Sequence, residues 1–239
     1  MIGPAKISRR ILWSGALILL LLLLALKAAM EGVSNFYAQS AYMEIGRWSR
    51  PGFVPAGDEG PRVTGYLNQS LDYSPGNPWP LEQLGTLQLS GIGALRDAQL
   101  AMAAAQNASA GLRKALVARP TSPFAWANFA LSKLALGEYD EALFQAIERA
   151  EELGPWEPEA QQAVIFAGLT VWTRLAPAQQ AAVVRAMQRG AQRNPAKIAQ
   201  LAASFSRIDL FCALSYSGTQ GREICSQTSK PGSKPNRKQ

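Results

Sequence analysis

From Ile11 to Leu26 the chain reads "ILWSGALILLLLLLAL", sixteen residues without a charge. No other feature limits the fold as strongly. Extended through Lys27 to Met30, the run reaches about 20 residues, the helical length that crosses a bilayer's hydrocarbon layer. Lys27, near its end, can reach up to the headgroups. A cleaved signal peptide is the competing reading. Lys27 weakens it, because it spoils the small-residue positions around Ala28 and Ala29 that a cleavage site needs. The sequence therefore predicts a retained transmembrane helix over 11–30, with a basic N-terminus at 1–10. Lys6, Arg9 and Arg10 put that N-terminus on the cytoplasmic side.

Of 24 basic residues, seven lie at the two ends: Lys6, Arg9, Arg10, Lys230, Lys234, Arg237 and Lys238. The remaining 17 balance 17 acidic residues, so the body is neutral. A pI of 9.6 set by the ends gives no basic face for nucleic acid.

Residues 31–61 read as a juxtamembrane helix and linker. Glu31 to Trp48 continues the helix with Phe36, Tyr37, Tyr42 and Trp48, suited to an interfacial belt or to packing. "SRPGFVPAGDEGP" (49–61) is turn-rich and marks the boundary to the next domain.

Residues 62–225 are rich in Ala, Leu, Gln, Glu and Arg and are punctuated by Pro75, Pro120, Pro155 and Pro195. The spacings of 45, 35 and 40 residues suit a helical repeat. The clearest unit is "WANFALSKLALGEYDEALFQAIERAEELGPWEP" (126–158). Trp126 and the large–small pair Phe129-Ala130 fit the first helix of a tetratricopeptide-like hairpin. Gly137 and Tyr139 fit its corner, Ala142 the helix crossing, and Pro155 the stop. A left-handed residue is wanted at the corner, and a small one where two axes approach. The gap from Ala142 to Pro155 is one residue longer than that repeat allows. Neighbouring units are weaker: Leu84-Gly85 opens one, Ala115 and Pro120 close another, and the pair 157–195 keeps the architecture without the signature. The reading is about three degenerate repeats, an α-solenoid; a generic all-α bundle is the alternative. Ala196–Ile208 reads as one capping helix, and "SGIGAL" (90–95) as a helix start. The tail 226–239 is polar and basic and is expected to be disordered.

The chemistry is sparse. The chain has no histidine, which removes the commonest general base and metal ligand. No catalytic residue, metal site or cofactor is expected. The carboxylates of "EYDEALFQAIERAEE" fall on the polar side of an amphipathic helix and read as a solvated face. Cys212 and Cys225 suit a structural disulfide in an oxidising compartment, worth about 3 kcal/mol at most. Free buried thiols are the alternative; redox activity is weak without a C-x-x-C pair. Trp79, Trp126, Trp156 and Trp172 lie near helix starts and corners. Inter-helix packing accounts for them, and an aromatic platform for a glycan or partner peptide is the sharper reading.

The run "RAEELGPWEPE", with "W…F" before it, "GLTVW" after it and a Cys-containing end, resembles the VpsP-like polysaccharide biosynthesis proteins over about residues 110–225. That resemblance implies an N-terminal membrane helix with tetratricopeptide-like helices, associated with exopolysaccharide machinery. It supplies a pathway and no catalytic residue. The expectation is a non-enzymatic scaffold anchored in a bacterial inner membrane, its main domain periplasmic. It would bind protein partners of a polysaccharide synthesis or export complex through a helical groove. The alternatives are an assembly factor for another envelope machine (cytochrome maturation, pilus or secretion), and a carboxylate-based polysaccharide-modifying enzyme.

Overall fold

The computed structural model describes residues 9–48, 57–214 and 219–228. Lys6, the linker residues 49–56 and the basic residues Lys230, Lys234, Arg237 and Lys238 lie outside them. Among the described residues every regular element is helical: α1 (Arg9–Trp48), α2 (Glu59–Tyr73), α3 (Pro78–Gly91), α4 (Ala98–Ala118), α5 (Pro123–Ala135), α6 (Glu141–Leu153), α7 (Pro158–Thr170), α8 (Pro177–Arg193), α9 (Pro195–Ser204), α10 (Ile208–Ala213) and α11 (Thr219–Thr228). Short 3-10 turns follow α3 (Ile92–Ala94) and α7 (Trp172–Arg174).

The chain divides into two compact units, 1–81 and 82–239. The sequence reading put the boundary at the 49–61 loop. The difference arises because α2 begins at Glu59 and packs along α1 rather than opening the second unit. In the first unit, α1 is a single 40-residue helix, about 60 Å long. It is the one described helix long and apolar enough to cross a membrane. Its N-terminal stretch is bare, with Leu17 to Leu24 all more than half exposed. Its C-terminal stretch is not. Ser34 and Ala41, two helical turns apart, are fully buried, as are Val63, Leu67 and Ser70 of α2. The hydroxyls of Ser34 and Ser70 share a hydrogen bond of 2.9 Å. Trp48 Nε1–H donates to Glu59 (3.2 Å), and Arg62 donates to Glu44 (3.1 Å). Hydrogen bonding to Glu44 holds the Arg62 guanidinium above its usual range.

In the second unit α5 packs against α4, α6 and α7, and α8 packs against α6, α7 and α9. The core runs continuously through Leu112, Phe129, Leu143, Ile147, Ile165, Val183, Met187 and Phe211. Small residues let the axes approach. A Cβ at Gly85 on α3 would overlap Leu112 of α4, and one at Gly168 on α7 would overlap Val183 of α8. Ala146 and Ala150 are fully buried, while Ala142 is half-buried at the edge of the same core.

One corner recurs three times with the same backbone. Ser74, Arg119 and Gly154 each end a helix, with φ −140°, −141° and −123°. Each donates its N–H to the carbonyl four residues back. Three residues on, Asn77, Ser122 and Glu157 donate to them in turn. A proline follows each first residue (Pro75, Pro120, Pro155), and a second proline opens the next helix (Pro78, Pro123, Pro158). The first cannot continue a helix, and the second is pre-set for the first helical position.

Three local expectations are corrected. Ala196–Ile208 is not one helix: α9 ends at Ser204, Ser206 is left-handed (φ 56°), and α10 starts at Ile208. Arg207 N–H donates to Ala202 O and Ser206 N–H to Ala203 O, which is the paired closure usually built with glycine. "SGIGAL" is the end of α3 and a 3-10 turn rather than a helix start; α4 begins later, capped by the Asp97 carboxylate. The first residues assigned to the C-terminal tail, 226–228, belong to α11.

Candidate functional site

The hairpin predicted at 126–158 forms as α5 and α6. Gly137 is left-handed at φ 69°. Its N–H donates to Leu134 O and that of Glu138 to Lys133 O, closing α5. Phe129 and Ala130 are buried, and Tyr139 at the corner lies under the Arg174 guanidinium, 4.7 Å from its centroid. Pro155 follows α6 as its stop.

This corner carries a charge cluster that the periodicity did not reveal. Lys133 is 3% exposed on α5. Its ammonium donates to Asp140 Oδ2 at 2.6 Å and to the Glu138 carboxylate. Burial works against the Lys133 charge, yet the two carboxylate hydrogen bonds outweigh it and raise its pKa. The same bond from Lys133 holds Asp140 below the usual carboxylate range, helped by the Leu143 N–H that it caps.

Glu151 corrects the solvated-face reading. It is 5% exposed and pinned by α8: Arg185 donates from Nη2 at 2.7 Å and Nε at 3.2 Å, and Arg189 also pairs with it. Burial lowers the Arg189 pKa. Glu82 of α3 is the third such group. It is 3% exposed and takes hydrogen bonds from Ser122 and Arg119, each 2.7 Å. These carboxylates tie one helix or corner to the next. Among the described residues no group of three or more His, Cys, Asp or Glu side chains could hold a metal ion.

The four tryptophans have different surroundings. Trp79, in the first unit, meets Tyr42 edge to face at 6.0 Å. Trp126 is half-buried against the core, and its Nε1–H donates to Pro120 O at 2.8 Å. Gln161 makes the equivalent bond to Pro155 O, so this contact belongs to the corner. Trp172 is half-buried beneath Arg207. Trp156 alone is mostly exposed, at 56%, with Arg189 over its ring and Arg193 bonded to its carbonyl. Cys212 of α10 and Cys225 of α11 are joined in a disulfide, their Cα atoms 5.7 Å apart.

The second unit has an open groove of about 550 Å³. The end of α3, α5 and α7 line it, with Leu89, Leu131, Leu134 and Phe166 as its apolar wall. Phe166 is 44% exposed and is braced edge to face by Phe205. No lining residue is charged. Its polar groups are largely engaged: Asn128 donates to Thr86 (2.8 Å), Thr170 to Phe166 O and Ser90 to Leu87 O. An occupant would therefore be held by apolar contact rather than through hydroxyls. Sequence reasoning missed Phe166, because α7 is apolar on every side and nothing in its sequence marks this aromatic as the exposed one.

The chain matches no family model, and no curated protein matches it.

Proposed function

We propose that this chain is a membrane-anchored, non-enzymatic scaffold whose groove receives an apolar face of a partner helix. The uncharged groove between α3, α5 and α7, with Phe166 half-exposed in it, carries this reading. Helix-in-groove recognition uses apolar anchors spaced along one helix face, and an uncharged wall suits them. Burying the rest of Phe166 would contribute about 1 kcal/mol.

The second unit is read here as a tetratricopeptide-like array. The pairs α3–α4, α5–α6 and α7–α8 are its units, with α9 as cap. The recurring Pro-x-x-Pro corner and the small residues at Gly85, Ala130 and Gly168 support that reading. α1 is the anchor, and it would keep the groove at high effective concentration near membrane partners. The resemblance to VpsP-like proteins supplies the setting: exopolysaccharide synthesis or export at a bacterial inner membrane, with the second unit periplasmic. A photo-crosslinking residue at Leu131 in intact cells should join the chain to a polysaccharide synthesis or export component. Phe166→Glu should abolish the adduct. Crosslinks only to unrelated envelope proteins would remove the assignment.

A second reading has one observation behind it. Trp156 is exposed beside Arg189 and Arg193, an aromatic face with cations that suits an acidic sugar. Trp156→Ala should then weaken polymer binding without loss of helicity.

A further inference from the structure

The first unit has a cleft of its own, about 640 Å³, between α1 and the turn after α2. Its walls are Lys27, Glu31 and Asn35 of α1 and Ser74, Gly76 and Asn77 of the turn. The turn is fastened to α1 at this level: Ser74 Oγ–H donates to Glu31 at 3.1 Å, and Asn77 Nδ2–H reaches Ser34 Oγ at 3.5 Å. The Lys27 ammonium and the Glu31 carboxylate stand side by side, 3.5 Å apart, with side chains 75% and 42% exposed. One positive and one negative group thus open into a cleft whose remaining walls are the polar Asn35, Ser74 and Asn77 and the less polar Met30, Tyr73, Pro75 and Pro78.

The position along α1 gives this chemistry a meaning. About 20 helical residues cross the hydrocarbon, so α1 leaves it near Met30. Headgroups occupy about the next 5–7 Å, which α1 covers in about four residues, from Met30 to Ser34. The cleft therefore lies within the headgroup layer. We propose that it binds the headgroup of a phospholipid bearing a primary ammonium. Lys27 pairs with the phosphodiester, Glu31 accepts from the ammonium, and Asn35, Ser74 and Asn77 face the glycerol and ester oxygens. A trimethylated ammonium has no N–H to donate, so Glu31 discriminates against choline.

The proposal rests on α1 crossing the membrane, which alkaline carbonate extraction of vesicles checks separately. The test uses the full chain reconstituted in vesicles of equal phosphatidylethanolamine and phosphatidylcholine with matched acyl chains. It is then extracted in mild detergent and its co-purified lipid is measured. Ethanolamine lipid should be retained roughly threefold over choline lipid, the scale of a partly exposed ion pair. Glu31→Gln should bring the ratio to one, and Lys27→Gln should lower retention of both. Added inorganic phosphate should leave the ratio unchanged. A chain that resists carbonate yet retains both lipids equally overturns the headgroup site and leaves the anchor standing. A preference that survives Glu31→Gln, or is erased by phosphate, also overturns it. Release of the chain by carbonate removes the anchor and the site together.

Discussion

The Lys133 ammonium meets the Asp140 carboxylate at 2.6 Å across the corner that Gly137 turns. Asp140 also accepts the Leu143 N–H, so one carboxylate closes the hairpin and caps its second helix. Its pKa is depressed in the folded chain. A depressed carboxylate contributes stability above its unfolded pKa of about 3.9 and loses it as pH falls through the folded value. Thermal melts between pH 5 and 2 should show an acid-side loss that Asp140→Asn largely removes. An unchanged acid slope in that variant would contradict the assignment.

Glu151 anchors α6 to α8 through Arg185 and Arg189. Removing its charge leaves two cations facing a buried gap. A fully buried pair costs about 3–5 kcal/mol to break in this way. Arg185 is half-exposed and can turn to water, so Glu151→Gln should cost about 2 kcal/mol in urea unfolding.

Gly168 lies against Val183 with no room for a methyl group. In an open helix, alanine would be favoured over glycine by about 1 kcal/mol. Here the overlap dominates, and Gly168→Ala should destabilise by about 2 kcal/mol. Adding Val183→Ala should restore part of that loss, a coupling that a double-mutant cycle reads directly.

The Cys212–Cys225 disulfide holds α11 to α10. Chain exported to an oxidising compartment should carry no free thiol, shown by mass before and after alkylation with and without reductant. Reduction should raise hydrogen exchange in α11 and leave α5 and α6 protected.

The legible features were those written locally. Gly137 had to be left-handed to close α5, and the apolar run of α1 was long enough to mark a candidate membrane span. The corner prolines were visible too, but only as stops. Their partners at Pro78, Pro123 and Pro158 would have shown that each corner also starts a helix. Glu151 was misread because its burial depends on α8. Within α6 it follows Leu143 and Ile147 at helical spacing, on the edge of the apolar stripe, and only Arg185 and Arg189 make that position tenable. The break at Ser206 was hidden because serine, unlike glycine, does not advertise a left-handed turn. A groove was expected, but its lining residues could not be read, since three separate helices supply its wall.

A scaffold acting through its groove in polysaccharide synthesis or export, as proposed, must be needed for polymer output. The most direct measurement weighs secreted polysaccharide from cells lacking the chain, complemented with the native form or with Phe166→Glu at matched protein levels. Polymer should fall on deletion, return with the native chain and stay low with Phe166→Glu. Polymer yield unchanged by deletion would contradict it.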